Sequence, residues 1–465
     1  MNRPISIPVE LWDALPAESR PAFGALIFGL EQRIAALEAR LGQNSSNSSR
    51  PPSSDSPHVK PAPSKKPSGK RRGGQPGHRR AERIKLEPDV VVPLKPGRCR
   101  SCDHRLQGED PQPLVHQVHE IPEVRPHVTE YRRHRLTCPR CGTVNRGELP
   151  VEVRGGYGPR AQAVCAMLSG SARLGKRVVG RVMHDLFGLT ISPAAVCGLE
   201  RKTAVTLAPI MDEALQSIRG RVANVDETGW KQGPRKSWLW TAVTPGVTVF
   251  LIRGNRNRAA FDDLVGPKPG VLTTDRYSVY THLPPRMRQV CWAHLRRDFQ
   301  AMIDRRDAGS AIGEELLFHA DLLFSAWHRV RDGTSSRRGF QRRCLSWLRP
   351  EVRGLLERGS NGGAPKTARV CRELLSLEHA LWTFATVPEV EPTNNAAERA
   401  VRHAVCWRKT SQGTDSVAGS RFVERILTAV ATCRQQGRNL LAFLTEAIQA
   451  TQRQTQSPSL LPHTP

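Results

Sequence analysis

Two aspartates in the middle of the chain follow short apolar runs and could share a metal ion. Asp226 ends the run Val222-Ala-Asn-Val-Asp226, and Asp275 ends the run Val271-Leu-Thr-Thr-Asp275. If both runs are strands, the two carboxylates can converge at one edge of a sheet. Converging carboxylates repel each other unless a cation lies between them, and hard divalent ions support phosphodiester chemistry. Solvated turn-forming acids are also common at strand ends, so the pair requires a third acid and a context.

Glu398 is the candidate for that third acid. It lies in the segment Glu391-Pro-Thr-Asn-Asn-Ala-Ala-Glu398-Arg-Ala-Val-Arg402, where Thr393 or Asn394 can cap a helix. The i, i+4 spacing predicts that Asn394, Glu398 and Arg402 share one face of that helix. Glu398 is therefore either a metal ligand or half of an ordinary surface ion pair with Arg402.

Four cysteines form two matched pairs, Cys99-Arg-Ser-Cys102 and Cys138-Pro-Arg-Cys141, and Gly142 follows the second pair. This spacing is typical of tetrahedral Zn²⁺ held by four thiolates, which would stabilise a small module and have a structural role. The alternatives are a redox pair and a catalytic zinc. A redox pair does not explain two matched motifs, and four cysteines would fill the position that a catalytic zinc keeps open.

The charge of the chain favours a polyanionic partner. Its 465 residues include 70 Lys and Arg against 43 Asp and Glu, a formal net charge of +27, and such a surplus attracts nucleic acid. No acid occurs from Ser56 to Ala81. We predict non-specific phosphate contacts in this stretch; a solvated tail without a partner is the alternative. The predicted DNA-binding residues here are Lys65, Lys66, Lys70, Arg71 and Arg72.

The N-terminus and the cysteine usage indicate the cytoplasm. The first residues lack the pattern of a signal peptide, and no apolar run approaches the roughly 18 residues that span a bilayer. The 11 cysteines are an odd number in a long chain, which favours reduced thiols. We therefore expect a cytoplasmic protein without a membrane partner.

The elements that must position these residues suggest a mixed α/β domain with helical additions. Strands are predicted at 221–226, 237–243, 247–252, 271–274 and 287–291, with a helix near 258–264 and mostly helices after Trp292. Apolar residues at helical spacing also predict a helix from about Pro21 to Leu41, and its stripe requires cover by a second copy or by the body of the chain. The stripe consists of Ile27, Leu30, Ile34, Leu37 and Leu41.

These patterns divide the chain into six predicted segments. They are a helical, leucine-zipper-like segment (1–43), a basic disordered linker (44–84), a zinc-binding domain (85–153), a helical segment that could hold a helix-turn-helix (154–220), a catalytic domain (221–410) with a helical insertion at about 300–390, and a C-terminal helical element (411–465). Within 85–153, β-rich runs at 90–92 and 127–131 predict short strands. Within 154–220, a break is predicted at 188–193, where Ser192 can cap a helix that Pro193 begins.

Several motifs together resemble the signature blocks of IS66-family transposases. They are Val225-Asp226-Glu-Thr-Gly-Trp230, Thr274-Asp275-Arg-Tyr-Ser-Val-Tyr280, Cys291-Trp-Ala-His-Leu-Arg-Arg-Asp-Phe299 and Asn394-Asn-Ala-Ala-Glu-Arg399. The N-terminal heptads, the Asn44-Ser-Ser stretch, Gly73-Gly-Gln-Pro-Gly-His78 and the CxxC pairs are similar to that family as well.

This resemblance implies a DDE transposase with an RNase H-like fold and a helical insertion. Asp226, Asp275 and Glu398 match the acidic triad, which would bind two Mg²⁺ (or Mn²⁺) ions for DNA strand cleavage and strand transfer at the ends of an insertion sequence. The implied partners are double-stranded DNA of the element ends and the target, further copies of the chain on that DNA, and small accessory proteins of the same element. The alternatives are a non-enzymatic DNA-binding regulator with an inert RNase H-like domain and a structure-selective nuclease.

Three further residues are candidates for DNA contacts. Cys291-Trp-Ala-His294 resembles a CxxH element of DDE transposases, and Trp292 could stack on an exposed base or pack in the core. Arg399 could orient Glu398 or contact phosphate. Arg402 lies on a basic helical edge that a solvated face explains equally well.

Overall fold

The computed structural model of the chain describes residues 7–44, 47–50, 77 and 83–462. Two helices come first, α1 (Val9–Asp13) and α2 (Arg20–Leu41), and α2 agrees with the helix predicted at Pro21 to Leu41. Four residues of the apolar stripe of α2 are exposed, from Leu30 at 45% to Leu41 at 84%, and Ile27 is half-buried. The described part of the chain therefore leaves most of the stripe uncovered. The five basic residues predicted to bind DNA between Lys65 and Arg72 lie outside the described residues.

The cysteine-rich region contains little regular structure. Two short strands, β1 (Arg135–Thr137) and β2 (Val144–Arg146), pair antiparallel. The β-rich runs at 90–92 and 127–131, which the sequence predicts as strands, are not assigned to strands. That expectation was wrong because β-branched residues favour a strand only where a partner strand completes the ladder.

Four helices follow: α3 (Pro159–Gly170), α4 (Lys176–Phe187), α5 (Pro193–Thr206) and α6 (Ala208–Ile218). The predicted break between α4 and α5 is confirmed. Gly188 ends α4 with a φ of 63°, and the hydroxyl of Ser192 accepts a hydrogen bond from Ala195 N at 3.2 Å at the start of α5.

A five-stranded mixed sheet forms the centre of the molecule. Its strands are β3 (Ala223–Gln232), β4 (Arg235–Val243), β5 (Thr248–Arg253), β6 (Leu272–Thr274) and β7 (Arg288–Val290), and helix α7 (Arg258–Val265) lies between β5 and β6 in the chain. The spatial order is β5-β4-β3-β6-β7. The first three strands are antiparallel neighbours, whereas β3, β6 and β7 run parallel.

One predicted strand end is wrong. Asp226 does not end its strand, because β3 continues to Gln232 and pairs with β4 along its length, up to the pair Gln232↔Arg235. The β3–β4 hairpin provides backbone hydrogen-bond partners for the polar residues that follow Asp226. These residues lack the alternation of apolar side chains that would predict a strand. The other neighbour of β3 is β6, which ends at Thr274. At Asp226, β3 therefore pairs with β4 alone.

Most of the remaining chain is helical. The helices are α8 (Trp292–Asp304), α9 (Ser310–Arg331), α10 (Arg337–Arg343), α11 (Arg349–Ser360), α12 (Pro365–Ser376), α13 (Glu378–Leu381), α14 (Thr383–Thr386), α15 (Asn395–Ser411), α16 (Val417–Gln435) and α17 (Leu440–Arg453), with a π turn at Cys344–Leu348. Among the described residues, no helix combines the length and the apolar character that crossing a membrane requires.

Three apolar clusters hold these layers together. One face of the sheet, with Leu239 and Phe250, packs against α3, α15, α16 and α17. The opposite face, with Val225 and Trp240, packs against α6 and α7. The helices between β7 and α15 have a core of their own that reaches the sheet edge through Val290. The chain is thus mixed α/β, with a helical insertion between β7 and α15.

Candidate functional site

Three elements bring the three predicted carboxylates to one edge of the sheet. Asp226 lies on β3, Asp275 directly follows the parallel neighbour β6, and the register Asn224↔Thr273 places the two residues at equivalent positions. Glu398 lies in the first turn of α15. The start of α15 is tied to β3 because Asn394 Nδ2 donates to Val225 O at 2.8 Å.

The three carboxylates affect one another's electrostatics, and the effect is largest at Asp226. Burial raises the pKa of Asp226 well above its ordinary value, and the charges of Glu227, Asp275 and Glu398 raise it further. A cation at this edge would lower the pKa again by stabilising the carboxylates. Oxygen ligands on a half-open edge suit Mg²⁺ or Mn²⁺, so the residues fit the metal ions that the resemblance implies.

Asp275 is held by a buried arginine that sequence reasoning missed. Arg288 is fully buried, and its Nη2 donates to Asp275 O at 2.6 Å while its Nε donates to Thr274 Oγ1 at 3.0 Å. The side chain of Asp275 accepts a hydrogen bond from Tyr277 N at 2.9 Å. The backbone and the side chain of Asp275 are therefore both held by hydrogen bonds. An arginine within the short strand β7 was the only sequence signal.

A second buried carboxylate, Glu227, follows Asp226 directly and was also missed. Arg256 Nε donates to Glu227 Oε1 at 2.8 Å, and the hydroxyl of Tyr280 donates to Glu227 Oε2. Arg256 also stacks over the ring of Tyr277, 3.6 Å from its centroid. Both oxygens of Glu227 thus have donors, which distinguishes it from its neighbour Asp226.

Glu398 reaches the site through a loop whose backbone is bonded to the start of α8. Asn394 N donates to Cys291 Sγ at 3.1 Å, and Trp292 N donates to Pro392 O at 2.9 Å. Asn394 occupies the predicted N-cap position, but its side chain makes no capping bond because it donates to β3 instead.

The carboxylate of Glu398 faces α8 rather than its own helix. Its Oε1 lies 3.5 Å from His294 Nδ1 and 3.7 Å from Arg297 Nη2. Among the described residues, Glu398 has no ion pair with Arg402, so the simple surface pair is not what this structure contains.

The remaining predicted contacts separate into buried and exposed side chains. Trp292 is fully buried; its Nε1 donates to Leu381 O at 2.7 Å and its ring packs 5.1 Å from Trp382. Base stacking by Trp292 is therefore wrong for this structure, and core packing is its role. Arg399 and Arg402 are exposed on α15, where they are free to meet a partner.

The first cysteine pair lies in a tight turn between the bridged residues Arg98 and Arg105. Cys99 N donates to His104 O at 2.9 Å, and Asp103 N donates to Cys99 O at 3.0 Å. Asp103 has a left-handed φ of 58°. Backbone and thiol hydrogen bonds lower the pKa of Cys99, which favours the thiolate that a metal binds.

The second pair repeats this geometry between β1 and β2. Cys138 N donates to Thr143 O at 2.8 Å, and Gly142 N donates to Cys138 O at 2.9 Å, with a φ of 73° at Gly142. Hydrogen bonds led by the Thr143 hydroxyl lower the pKa of Cys141. Two equivalent turns with paired thiols fit a zinc ligand set, although the four sulfur atoms do not form one cluster in the described chain.

Comparison with known proteins places these features in a family. Residues 173–421, more than half of the chain, match the IS66 family of transposases, and residues 9–84 match a family of unknown function, DUF6444. The uncharacterized protein y4qI of Sinorhizobium fredii is 26% identical over 236 residues, which are 46% of this chain and 43% of that protein. The uncharacterized protein y4hP of the same organism is 24% identical over 406 residues, 78% of this chain and 72% of that protein.

The chain thus spans less than half of the length of the first of these relatives. The matched region contains all three carboxylates and the helices that support them. The chain belongs to the IS66 family of transposases.

Proposed function

We propose that this protein cleaves DNA strands at the ends of an insertion sequence and joins them to a target, with divalent metal ions held by Asp226, Asp275 and Glu398. The observation that carries the proposal is the convergence of these carboxylates from β3, the end of β6 and the first turn of α15. Membership of a transposase family supports the reaction class.

The sheet supports an RNase H-like assignment of the catalytic domain. Three antiparallel strands are followed by two parallel ones, and the strand bearing the first acid lies at the centre with the strand of the second acid beside it. The third acid arrives on a helix after the helical insertion. Such a fold is an α/β scaffold on which the carboxylates occupy one edge of the sheet.

The roles of the residues follow from their surroundings. Bound Mg²⁺ or Mn²⁺ would activate the attacking oxygen and stabilise the departing one. Asp226, desolvated on β3, is the ligand that gains most from a nearby cation. Arg288 fixes the backbone at Asp275, and the bond from Asn394 to Val225 sets the distance between α15 and β3. These supports keep the ligands preorganised without contacting DNA.

DNA contacts are proposed outside the carboxylates. Arg399 and Arg402 are exposed next to Glu398 on α15 and can bind the phosphates that flank a scissile bond. The basic residues from Lys65 to Arg72 add contacts without sequence preference. The exposed stripe of α2 supports assembly of several copies on one DNA, since apolar heptads are buried by a second helix.

The two cysteine turns are proposed to hold one structural zinc ion. Cys138→Ser should release about one zinc per chain and weaken DNA binding, while the catalytic domain remains folded. Zinc content and circular dichroism of the purified chain check this, with Cys197→Ser as the matched control outside the turns. A wild-type chain purified without zinc would exclude the site.

The decisive experiment is a cleavage and strand-transfer assay with Mg²⁺ on labelled DNA that carries the element ends flanking the gene. Wild type should yield cleaved and joined products, and Asp226→Asn should reduce them by at least a hundredfold. Asp262→Asn, which changes a half-buried aspartate on α7 that pairs with Arg258, is the control and should retain activity. DNA binding without product in any variant would favour a non-enzymatic regulator, and cutting of branched DNA regardless of end sequence would favour a general nuclease.

A further inference from the structure

The end of β7 and the start of α8 place a cysteine and a histidine beside Glu398. One ligand atom each from Cys291, His294 and Glu398 lies within 4.8 Å of the other two. In the described part of the chain, this is the group of three metal-ligating side chains that meets such spacing. The pair His294 Nδ1 and Glu398 Oε1 is separated by 3.5 Å, close to the distance between two ligands of one tetrahedral ion.

Two of these atoms, His294 Nδ1 and Glu398 Oε1, are inaccessible to water and have no hydrogen-bond partner among the described residues. Leaving such atoms without a partner costs about 1–3 kcal/mol each. A ligand that binds both atoms at once would remove that cost.

Cys291 supplies a third ligand of a different chemical type. Its side chain is fully buried, and Sγ accepts a hydrogen bond from Asn394 N at 3.1 Å. A backbone N–H aimed at sulfur stabilises a thiolate. A metal ion at this position would bind the sulfur as a thiolate, and the thiol proton would leave to solvent.

We propose that Cys291, His294 and Glu398 form a second metal site, which binds a borderline transition-metal ion such as Zn²⁺ through one sulfur, one nitrogen and one oxygen. A thiolate and an imidazole select Zn²⁺ over Mg²⁺, because Mg²⁺ prefers oxygen ligands and octahedral geometry. Three protein ligands leave a fourth position open to water. The site is separate from the two cysteine turns of the zinc module.

Glu398 belongs to both this site and the proposed Mg²⁺ site, and the regulatory consequence rests on the proposed function. An ion that binds Glu398 Oε1 together with His294 withdraws negative charge from the carboxylates at the sheet edge. Zinc occupancy therefore competes with the catalytic ions for Glu398 and inhibits strand cleavage.

Metal binding is measured without DNA. The result therefore tests the metal site even if the protein does not cleave DNA. The full-length chain carrying serine in place of Cys99, Cys102, Cys138 and Cys141 is titrated with Co²⁺ as a spectroscopic substitute for Zn²⁺. We expect a thiolate-to-cobalt charge-transfer band in the near ultraviolet that saturates at about one thiolate-bound ion per chain. Zn²⁺ should displace the cobalt and remove the band.

Three single changes in that chain identify the ligands. Cys291→Ala should abolish the charge-transfer band, and His294→Gln and Glu398→Gln should each weaken cobalt binding at least tenfold. Asp226→Asn is the matched control, because it alters the proposed Mg²⁺ site without removing a ligand of this one, and it should retain the band.

Folding is monitored by circular dichroism in every variant. Because His294 is partly exposed, His294→Gln is the substitution that should disturb the core least. Should the serine-substituted chain not fold, the wild-type chain and its His294→Gln variant are compared by zinc content after dialysis, where a difference of about one ion is expected. A folded chain without the band, a band that persists in Cys291→Ala, or equal zinc contents would overturn the proposal.

Discussion

At the scale of residues, Asp226 and Glu227 show how two adjacent acids in one buried strand are handled differently. Glu227 has Arg256 and Tyr280 as donors, whereas Asp226 meets mainly other carboxylates, and burial together with these charges raises its pKa. A half-buried acid that faces mainly like charges is destabilised in its ionised form until a cation binds. Glu227 thus has a structural role, whereas Asp226 is available to bind a cation.

Divalent ions should stabilise the folded protein through Asp226. A raised folded-state pKa means that unfolding lets Asp226 ionise, so metal-free stability is lost as the pH rises above the ordinary value of 3.8. Mg²⁺ binds the ionised form of Asp226 and so stabilises the folded protein. The stabilisation is about 2.7 kcal/mol when the Mg²⁺ concentration is one hundred times Kd. We expect Mg²⁺ to raise Tm in the wild type at neutral pH, measured by thermal unfolding against EDTA.

The matched controls for this shift are Asp226→Asn and Asp262→Asn. Asp226→Asn should be more stable than the wild type in EDTA and respond little to Mg²⁺, whereas Asp262→Asn should behave as the wild type. A shift of equal size in all three chains would show that Mg²⁺ binds elsewhere.

Removing the partner of Glu227 should be costly. The Glu227 side chain is 1% exposed in its ion pair with Arg256, so Arg256→Met leaves a buried carboxylate with only a hydroxyl donor. Breaking a buried pair on one side typically costs about 3–5 kcal/mol. We expect Arg256→Met to be destabilised by that order in denaturant unfolding.

The double variant Arg256→Met with Glu227→Gln should recover much of that loss, because no charge remains unpaired. A coupling energy near zero in this cycle would mean that the ion pair does not stabilise the fold.

At the scale of elements, the sequence predicted the sheet and the helical insertion because each has a local signal. Apolar runs of four to seven residues identified the cores of all five strands of the sheet, and Ser192-Pro193 marked the start of α5. The end of β3 was missed because pairing with β4, and no local pattern, carries the strand to Gln232. Tertiary pairing decided the outcome there.

The candidate site was predictable in its acids but not in their supports. Asp226, Asp275 and Glu398 belong to recognisable motifs, whereas the role of Arg288 depends on the pairing of β7 with β6, which brings its side chain to Asp275. Trp292 illustrates the reverse case, since its motif suggested DNA stacking and its packing against Trp382 buried it. The sequence alone does not show that a charged residue in a short strand supports a functional site, because the position of its partner in a neighbouring loop is unknown.

The attachment of α15 to α3 should give the protein an acid-sensitive element. His403 donates from Nε2 to Gly170 O at 3.0 Å, and burial lowers the pKa of His403 below its ordinary value of 6.5. As the pH falls below that value, the unfolded chain binds a proton that folded His403 resists. Stability is therefore present above this window and lost as the pH falls through it, by up to about 1.4 kcal/mol per pH unit.

Thermal unfolding of the wild type and His403→Asn between about pH 7 and about pH 5 measures this effect. Asn keeps an N–H donor but does not titrate, so its stability should change less over that range. His328→Asn, at an exposed position of α9, serves as the control and should follow the wild type. Parallel curves for His403→Asn and the wild type would contradict the prediction.

At the scale of the whole molecule, the net charge of +27 is unevenly distributed along the chain. In the described part, many arginines are neutralised in ion pairs, such as Arg276 with Asp298 and Arg349 with Glu378. The stretch from Ser56 to Ala81 has no acid with which to pair. Cations in an acid-free stretch release counterions when they bind phosphates, so this stretch should dominate non-specific affinity.

The salt dependence of DNA binding should report that contribution directly. Each phosphate contact contributes about 0.9 to the slope of log K against log salt. Replacing Lys65, Lys66, Lys70, Arg71 and Arg72 by glutamine should therefore reduce the slope by up to about 4.5 on duplex DNA of unrelated sequence. Fluorescence anisotropy titrations over a series of salt concentrations measure it.

A second variant with equal charge loss separates position from net charge. Its substitutions, also to glutamine, are at exposed residues of the helical insertion: Arg331, Arg338, Arg342, Lys366 and Arg369. If net charge alone attracted DNA, both variants would lose the same slope. A larger loss in the first variant is expected because closely spaced cations in one acid-free stretch can neutralise adjacent phosphates, whereas the same charges distributed over several helices cannot reach one DNA groove together.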